Sequence, residues 1–252
     1  MKFDDLDAKM RKFETINDTK LPSDVYMIVR VDGRGFTQLT KKELALDKPY
    51  DTSFNGTMVY VTQRLMDSGF KCLYGYTQSD EISILISPDC TTFDRKLRKI
   101  NSVMAGTASA VFTYDMDTIG VFDARTFMLP NDDLVVDYFR WRAQDALRNS
   151  LNSWCYWTLR DNEYTASQAT KVMSGMSVQT KHDMLHNTYG INFNDIPTWQ
   201  KNGVGVYNNV YMKDGENPLT GEITQVERRE LVPHYDLPRG DEYGEFIRGL
   251  LK

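Results

Sequence analysis

The chain has 252 residues, of which 41% are hydrophobic, 12% aromatic and 26% charged, the composition of a globular protein able to bury a substantial core. A net charge of −5 excludes a surface that attracts nucleic acid everywhere, so any RNA or nucleotide site must be a local basic patch. Cys72, Cys90 and Cys155 have no metal-ligand spacing, no apolar run approaches the roughly 20 residues that span a bilayer, and Met1–Asp5 lacks a signal peptide's apolar core; these features predict a cytoplasmic protein without a membrane partner.

Leu6, Met10, Phe13 and Ile16 fall at helical spacing and predict an opening amphipathic helix. Val25 to Val31 alternates and is rich in branched residues, as a buried strand is, until Asp32-Gly33-Arg34-Gly35 breaks the pattern. Phe54, Met58, Val61 and Leu65 mark a second helix, capped by Asp51, Thr52 or Ser53 and stopped by Gly69. A strand through Cys72, Tyr74 and Tyr76 leads into the Ser79-Asp80-Glu81 turn and a strand to Ile86. Phe93, Leu97, Ile100, Met104, Ala108 and Val111 form one apolar stripe, and Gly120 to Phe127 reads as a fourth strand. Residues 25 to 127 therefore spell β-α-β-β-α-β, an α+β, ferredoxin-like sheet of four strands with two helices on one face and the other face open. Strand one lies beside strand three in that topology, so Asp32 and Asp80 end on one edge.

Beyond Pro130 the pattern predicts a long helix from Leu134 to Leu159, a short one over Thr165–Met173 and another from Ser177 to His186. Val204, Val206 and Val210, with Ile223 to Val226, predict a β-hairpin with a long loop. The polar segment from Pro233 reads as a partly mobile extension. Two parts follow: a catalytic domain over 1–130, including the N-terminal helix, and a mainly helical region with the hairpin over 131–252, packed on it.

The candidate catalytic acids are Asp32, Asp80 and Glu81. Asp32 and Asp80 with the Gly33 carbonyl offer only hard oxygen ligands, which favour Mg²⁺ or Mn²⁺ over Zn²⁺. Two such ions at one sheet edge suit phosphoryl or nucleotidyl transfer. Either aspartate alone reads equally well as a turn residue; the pair, on strands predicted to be neighbours, favours the metal. Backbone amides from Gly33 through Arg34, Gly35 and Phe36 to Thr37 can wrap a triphosphate, with the Ser79 hydroxyl added, and Arg30 and Arg34 flank the acid. Arg95, Lys96, Arg98 and Lys99 crowd positive charge at a predicted helix start, which a phosphate site explains better than a solvated face. Arg142, Asp145, Asn149 and Asn152 share one helical face; an exposed face, an inter-subunit network and a nucleotide-binding face all fit that spacing.

Several of these motifs, in one order over about residues 5 to 207, resemble the tRNA(His) guanylyltransferase family and its relatives, the 3′–5′ polymerases called tRNA(His) guanylyltransferase-like proteins. They are Arg30-Val31-Asp32-Gly33-Arg34-Gly35-Phe36, Gln78-Ser79-Asp80-Glu81, Phe122-Asp123-Ala124-Arg125, Asp137-Tyr138-Phe139-Arg140-Trp141-Arg142, Lys181 and Gly190-Ile191-Asn192-Phe193-Asn194. The resemblance implies a polymerase-like palm domain, two Mg²⁺ ions, ATP and GTP as substrates, tRNA as partner and a homotetramer. It implies activation of a tRNA 5′ end by ATP or GTP, then attack by the 3′-hydroxyl of an incoming nucleoside triphosphate.

By the same resemblance, Asp32, Gly33 and Asp80 hold metal, while the backbone from Asp32 to Thr37 with Ser79 cradles the nucleotide. Lys48, Arg95, Lys96 and Lys99 look like triphosphate ligands, and Asn149 a nucleotide contact. The eukaryotic enzymes carry a His-Ile-Asn-Asn-Leu-Tyr-Asn block where this chain reads Leu147-Arg148-Asn149-Ser150-Leu151-Asn152-Ser153. Without that histidine the chain looks more like the bacterial and archaeal branch, which repairs truncated tRNA 5′ ends by templated addition. Strict addition of one G to tRNA(His) is the alternative. A nucleotide cyclase and a non-catalytic tRNA-binding protein are readings from other classes, disfavoured by the match beyond residue 130 and by the intact acids respectively.

Overall fold

Alternation on the first strand decides the layering. In the computed structural model, which describes residues 2–216, 221 and 223–252, β1 (Tyr26–Gly33) sends Met27, Val29 and Val31 to one face and Ile28 and Arg30 to the other. The first face lies under α3 (Thr52–Met66) and α4 (Leu97–Met116), whose Met58, Leu65, Ile100, Met104 and Phe112 complete a large core. Strands β2 (Cys72–Gln78), β3 (Glu81–Ile86) and β4 (Phe122–Leu129) give the expected β-α-β-β-α-β order, with β1 between β3 and β4. α1 (Phe3–Glu14) precedes it with no buried residue, and the one-turn α2 (Phe36–Gln38) follows β1.

The second sheet face is covered rather than open. Asn131 caps α5 (Asp132–Asp161) by accepting from the Leu134 amide at 3.0 Å. Val135, Val136, Tyr138 and Phe139 of this helix pack on Ile28, Tyr74, Tyr76 and Leu85. At 1.5 Å per residue α5 is about 45 Å long, so its second half overruns the sheet. There Leu151 and Cys155 join Leu185, Phe193 and Ile196 in a satellite core, with α6 (Ala166–Met173) and α7 (Val178–Asp183) alongside.

After α8 (Thr198–Asn202), the hairpin of β5 (Val204–Glu216) and β6 (Ile223–His234) pairs with β2. It makes one six-stranded antiparallel sheet in the order β4-β1-β3-β2-β5-β6. The tail is not a mobile extension: α9 (Gly240–Leu250) buries Tyr243 and Ile247 in the second core. The Tyr243 hydroxyl lies 3.0 Å from that of Tyr74, and Arg248 donates to Asp133 at 2.6 Å.

α4 starts four residues later than its apolar stripe suggests. Phe93, Asp94 and Arg95 have φ near +54°, a left-handed turn that α-helix excludes. The Arg95 guanidinium occupies that turn, donating to the carbonyls of Pro88, Cys90 and Val25.

Candidate active site

The acidic site forms where β1 runs out beside the β2–β3 turn. Asp32 sits opposite Glu81 on β3 and opposite Asp123 on β4. The Gly33 amide donates to the Asp80 carbonyl at 3.0 Å and the Arg34 amide to the Val121 carbonyl at 2.8 Å. These bonds hold the two acidic segments together, and they commit both amides, leaving Gly35 to Thr37 as the available cradle. Gly33 is required by close approach, because a Cβ there would lie 2.5 Å from the Phe36 ring. Gly35 is required by its φ of +76°. The Phe36 side chain belongs to the core, with its ring 4.9 Å from those of Phe112 and Phe122.

Burial pushes the Asp80 carboxyl above the usual aspartate range and Asp32 pushes it further, while its own backbone amide and the Ser79 hydroxyl, 3.1 Å away, pull it back. Glu81 differs. Its burial also raises it, but Arg142 on α5 reaches its carboxylate at 2.8 Å and Arg30 pairs with it from β1, both pulling down. Arg142, 7% exposed, also meets Asp145 at 3.3 Å, and Asp145 accepts from Arg148 at 2.6 Å and Asn149 at 3.3 Å. Glu81, expected as a catalytic acid, also ties the sheet to the helix above it.

A cleft of about 740 Å³ opens from these acids. Arg30, Asp32, Ser79, Asp80 and Glu81 line one side, Thr37 and Lys48 another, and Arg142, Asp145, Asn149 and Asn152 of α5 a third. The polar stripe on α5 therefore faces the cleft. The Lys48 ammonium donates to the Thr40 carbonyl at 3.0 Å and lies 5.5 Å from the Trp157 ring centroid; burial lowers its pKa. Tyr50, Trp157 and Trp199 give the cleft aromatic walls that the motifs did not single out. Tyr50 and Trp199 meet edge to face at 6.0 Å, and no sequence signal joins residues so far apart.

Arg95, Lys96 and Lys99 are not in this cleft. Strand β3 carries the chain away from Asp80 to the opposite sheet edge, and α4 begins there, beside residues that precede β1. The Leu97 amide donates to the Thr19 carbonyl and the Leu21 amide to the Arg95 carbonyl. Arg95 is buried under its turn, and Lys96 and Arg98 pair with Asp18. Within one chain this cluster does not line the cleft that holds Asp32, where the sequence had placed it.

Among the described residues no three His, Cys, Asp or Glu side chains converge as a metal cage. The donor set is two carboxylates and nearby carbonyls, all oxygen, and Arg30 and Arg142 are taken by Glu81. Among the described residues Asp32 and Asp80 form no ion pair, and such an acidic centre is the environment a hard divalent ion fits.

A βαββαβ sheet with carboxylates at the end of its first strand and in its second turn, opening on a cleft of nucleotide size, has the plan of a palm-type nucleotidyltransferase. Residues 7–130 match the family model for tRNAHis guanylyltransferase and residues 133–233 that for the Thg1 C terminal domain. The chain belongs to the tRNA(His) guanylyltransferase family. It is 29% identical over 233 residues to the tRNA(His) guanylyltransferase of Debaryomyces hansenii, covering 87% of each chain. A bacterial tRNA(His) guanylyltransferase (Thg1)-like protein solved in complex with ATP matches with a TM-score of 0.80 at 27% identity, over 98% of this chain and 99% of that one. Such a protein in complex with GTP matches at 0.72 and 28%, with the same coverage. Among the described residues no helix is long and apolar enough to cross a membrane.

Proposed function

We propose that this protein is a template-dependent 3′–5′ nucleotidyltransferase that activates a tRNA 5′ end with ATP or GTP and then adds nucleotides. The observation that carries the reading is the meeting of Asp32 and Asp80 at one sheet edge, with no ion pair to either among the described residues, under a cleft that also holds Ser79, Lys48 and Asn149. The ATP and GTP complexes of the bacterial relatives support nucleotides as its ligands.

Asp32, Asp80 and the Gly33 carbonyl would hold Mg²⁺ ions, which polarise phosphoryl oxygens and favour deprotonation of an attacking hydroxyl. The remaining work falls to the chain itself. The amides of residues 35–37 and the Ser79 hydroxyl donate to phosphate oxygens, and Lys48 neutralises their charge. Trp157 and Trp199 narrow the cleft and exclude water. The Glu81–Arg142 pair fixes the height of α5, and so of Asn149 and Asn152, above the phosphates.

The missing His-Ile-Asn-Asn block supports templated choice of nucleotide: with no dedicated guanine reader, pairing with the opposite strand selects the base. A tRNA lacking its first nucleotide, offered with ATP and each nucleoside triphosphate in turn, should receive whichever one pairs with the opposing base. Insertion of G whatever the opposing base would restore the strict tRNA(His) enzyme. Release of a cyclic nucleotide without RNA would make it a cyclase.

A further inference from the structure

A second cleft, of about 390 Å³, lies on the far side of the Lys48–Trp157 contact. It shares Lys48, Pro49 and Trp157 with the acidic cleft, so one cation and one indole stand between the two. The rest of its lining comes from the end of α5 and the turn after α7, and none of it enters the mechanism above. Three features define what fits there. Trp154 and Tyr189 offer aromatic surface. The Trp154 indole N–H is buried and donates to no acceptor among the described residues. Asp161 brings a carboxylate to the lining, 16 or more positions along the chain from any acid of the first cleft.

A carboxylate repels phosphate, but it accepts well from the ring N–H or exocyclic amino group of a nucleobase. Flat aromatic side chains stack on bases whatever their identity. The only cation in the lining, Lys48, stands at the passage to the acidic cleft, where a phosphate leading from one cleft to the other would pass. Aromatic surface, an acceptor and an indole donor inside, with the positive charge at the doorway, is the arrangement for a splayed-out base on a phosphate backbone.

We propose that this second cleft binds an unpaired base of the RNA substrate, on the 3′ strand next to the 5′ end that lies in the acidic cleft. The inference rests on the RNA reading above and adds a place for the single-stranded 3′ tail. The base stacks against Trp154 and Tyr189 and presents an N–H edge to Asp161. Its backbone crosses at Lys48. The protein thereby gauges where the duplex ends, which an enzyme working at a 5′ terminus needs.

The test uses a fluorescently labelled, 5′-truncated tRNA with its single-stranded 3′ nucleotides intact, and the same RNA trimmed to a blunt acceptor end. Dissociation constants are read by anisotropy and nucleotide addition by product length, for the unaltered protein, Tyr189→Leu and Asp161→Asn. Asp161 is exposed at a helix end, so its variant keeps the fold even if Tyr189→Leu does not. Trimming should weaken binding to the unaltered protein about tenfold. It should raise the KM for RNA while leaving that for the nucleoside triphosphate unchanged. In each variant the trimmed and intact RNAs should bind within about twofold of one another, because the partner of the tail is gone. A full trimming effect retained in both variants, or none in the unaltered protein, overturns the assignment. Tail-dependent binding without any nucleotide addition would remove the enzymatic reading and leave the cleft assignment standing.

Discussion

At the scale of single residues the two half-buried acids of the β2–β3 turn sit in opposite surroundings. Asp80 has a like charge beside it and, among the described residues, no ion-pair partner, so the folded chain is less stable with that charge than without it. Asp80→Asn should therefore raise Tm in Mg²⁺-free buffer, by about 2–4 °C if the relief is near 1 kcal/mol. It should also abolish the Tm rise that Mg²⁺ gives the unaltered protein, and nucleotide addition with it. A lowered Tm would show Asp80 to be a structural turn residue. Glu81→Gln should do the reverse. It leaves the half-buried Arg30 guanidinium without a counter-charge and the buried Arg142 with Asp145 alone, at a cost of about 3 kcal/mol. Urea unfolding measures that loss, and an unchanged midpoint would release Glu81 from its structural role.

Lys48 carries the pH dependence. Burial favours its neutral form, so its charge is lost at lower pH than that of an ordinary lysine, although Asp51 opposes the shift. The KM for the nucleoside triphosphate should accordingly rise as pH climbs through the alkaline range. Lys48→Arg should flatten that limb, and Lys48→Ala should raise KM about tenfold at neutral pH. A limb that persists in Lys48→Arg would assign the titration elsewhere.

Among elements, those whose apolar period runs long were legible in the sequence. α3, α4, the first half of α5 and strands β1 to β4 follow from alternation and helical stripes, and their order brings Asp32 to Asp80. α9 also carries a stripe, at Tyr243, Phe246, Ile247 and Leu250, but Pro238, Gly240, Gly244 and Gly249 disguise it as loop. The Arg95–Lys99 cluster misled for a different reason: its charge density is visible in one dimension, while the edge on which it lies depends on the direction of β3. The aromatic walls were illegible because Tyr50, Trp157 and Trp199 come from three separate segments.

Two outcomes belong to this scale. Ile247→Ala should cost about 2–5 kcal/mol as a buried large-to-small change, whereas a mobile tail would give none. Changing Lys96 and Lys99 together to Ala should leave the KM for the nucleoside triphosphate within about twofold when measured on the isolated chain.

At the scale of the whole molecule, two elements each expose several apolar side chains. α1 exposes Phe3, Leu6, Met10 and Phe13, with Ile16 exposed just beyond its end, and the outer half of the β5–β6 hairpin exposes Val210, Met212 and Ile223. A helix of this length is marginal in water by itself, so the stripe fits a contact with another copy of the chain. Removal of residues 2–16 should lower the mass seen by light scattering if an oligomer forms through it. An unchanged mass would place the contact elsewhere.

α5 behaves as a ruler with a phase. Phe139 is anchored on the sheet, and Asn149, ten residues on, faces the cleft only because the turns between them are counted correctly. Each residue added or removed in that interval rotates everything beyond it by about 100°. Point substitutions between these two positions leave the phase alone. A one-residue deletion would point Asn149 and Asn152 away from the acids while each half of the helix kept its own apolar neighbours. The enzyme is thus open to change by replacement along this helix and closed to change by length, so homologues that work should differ there in spelling and agree in count.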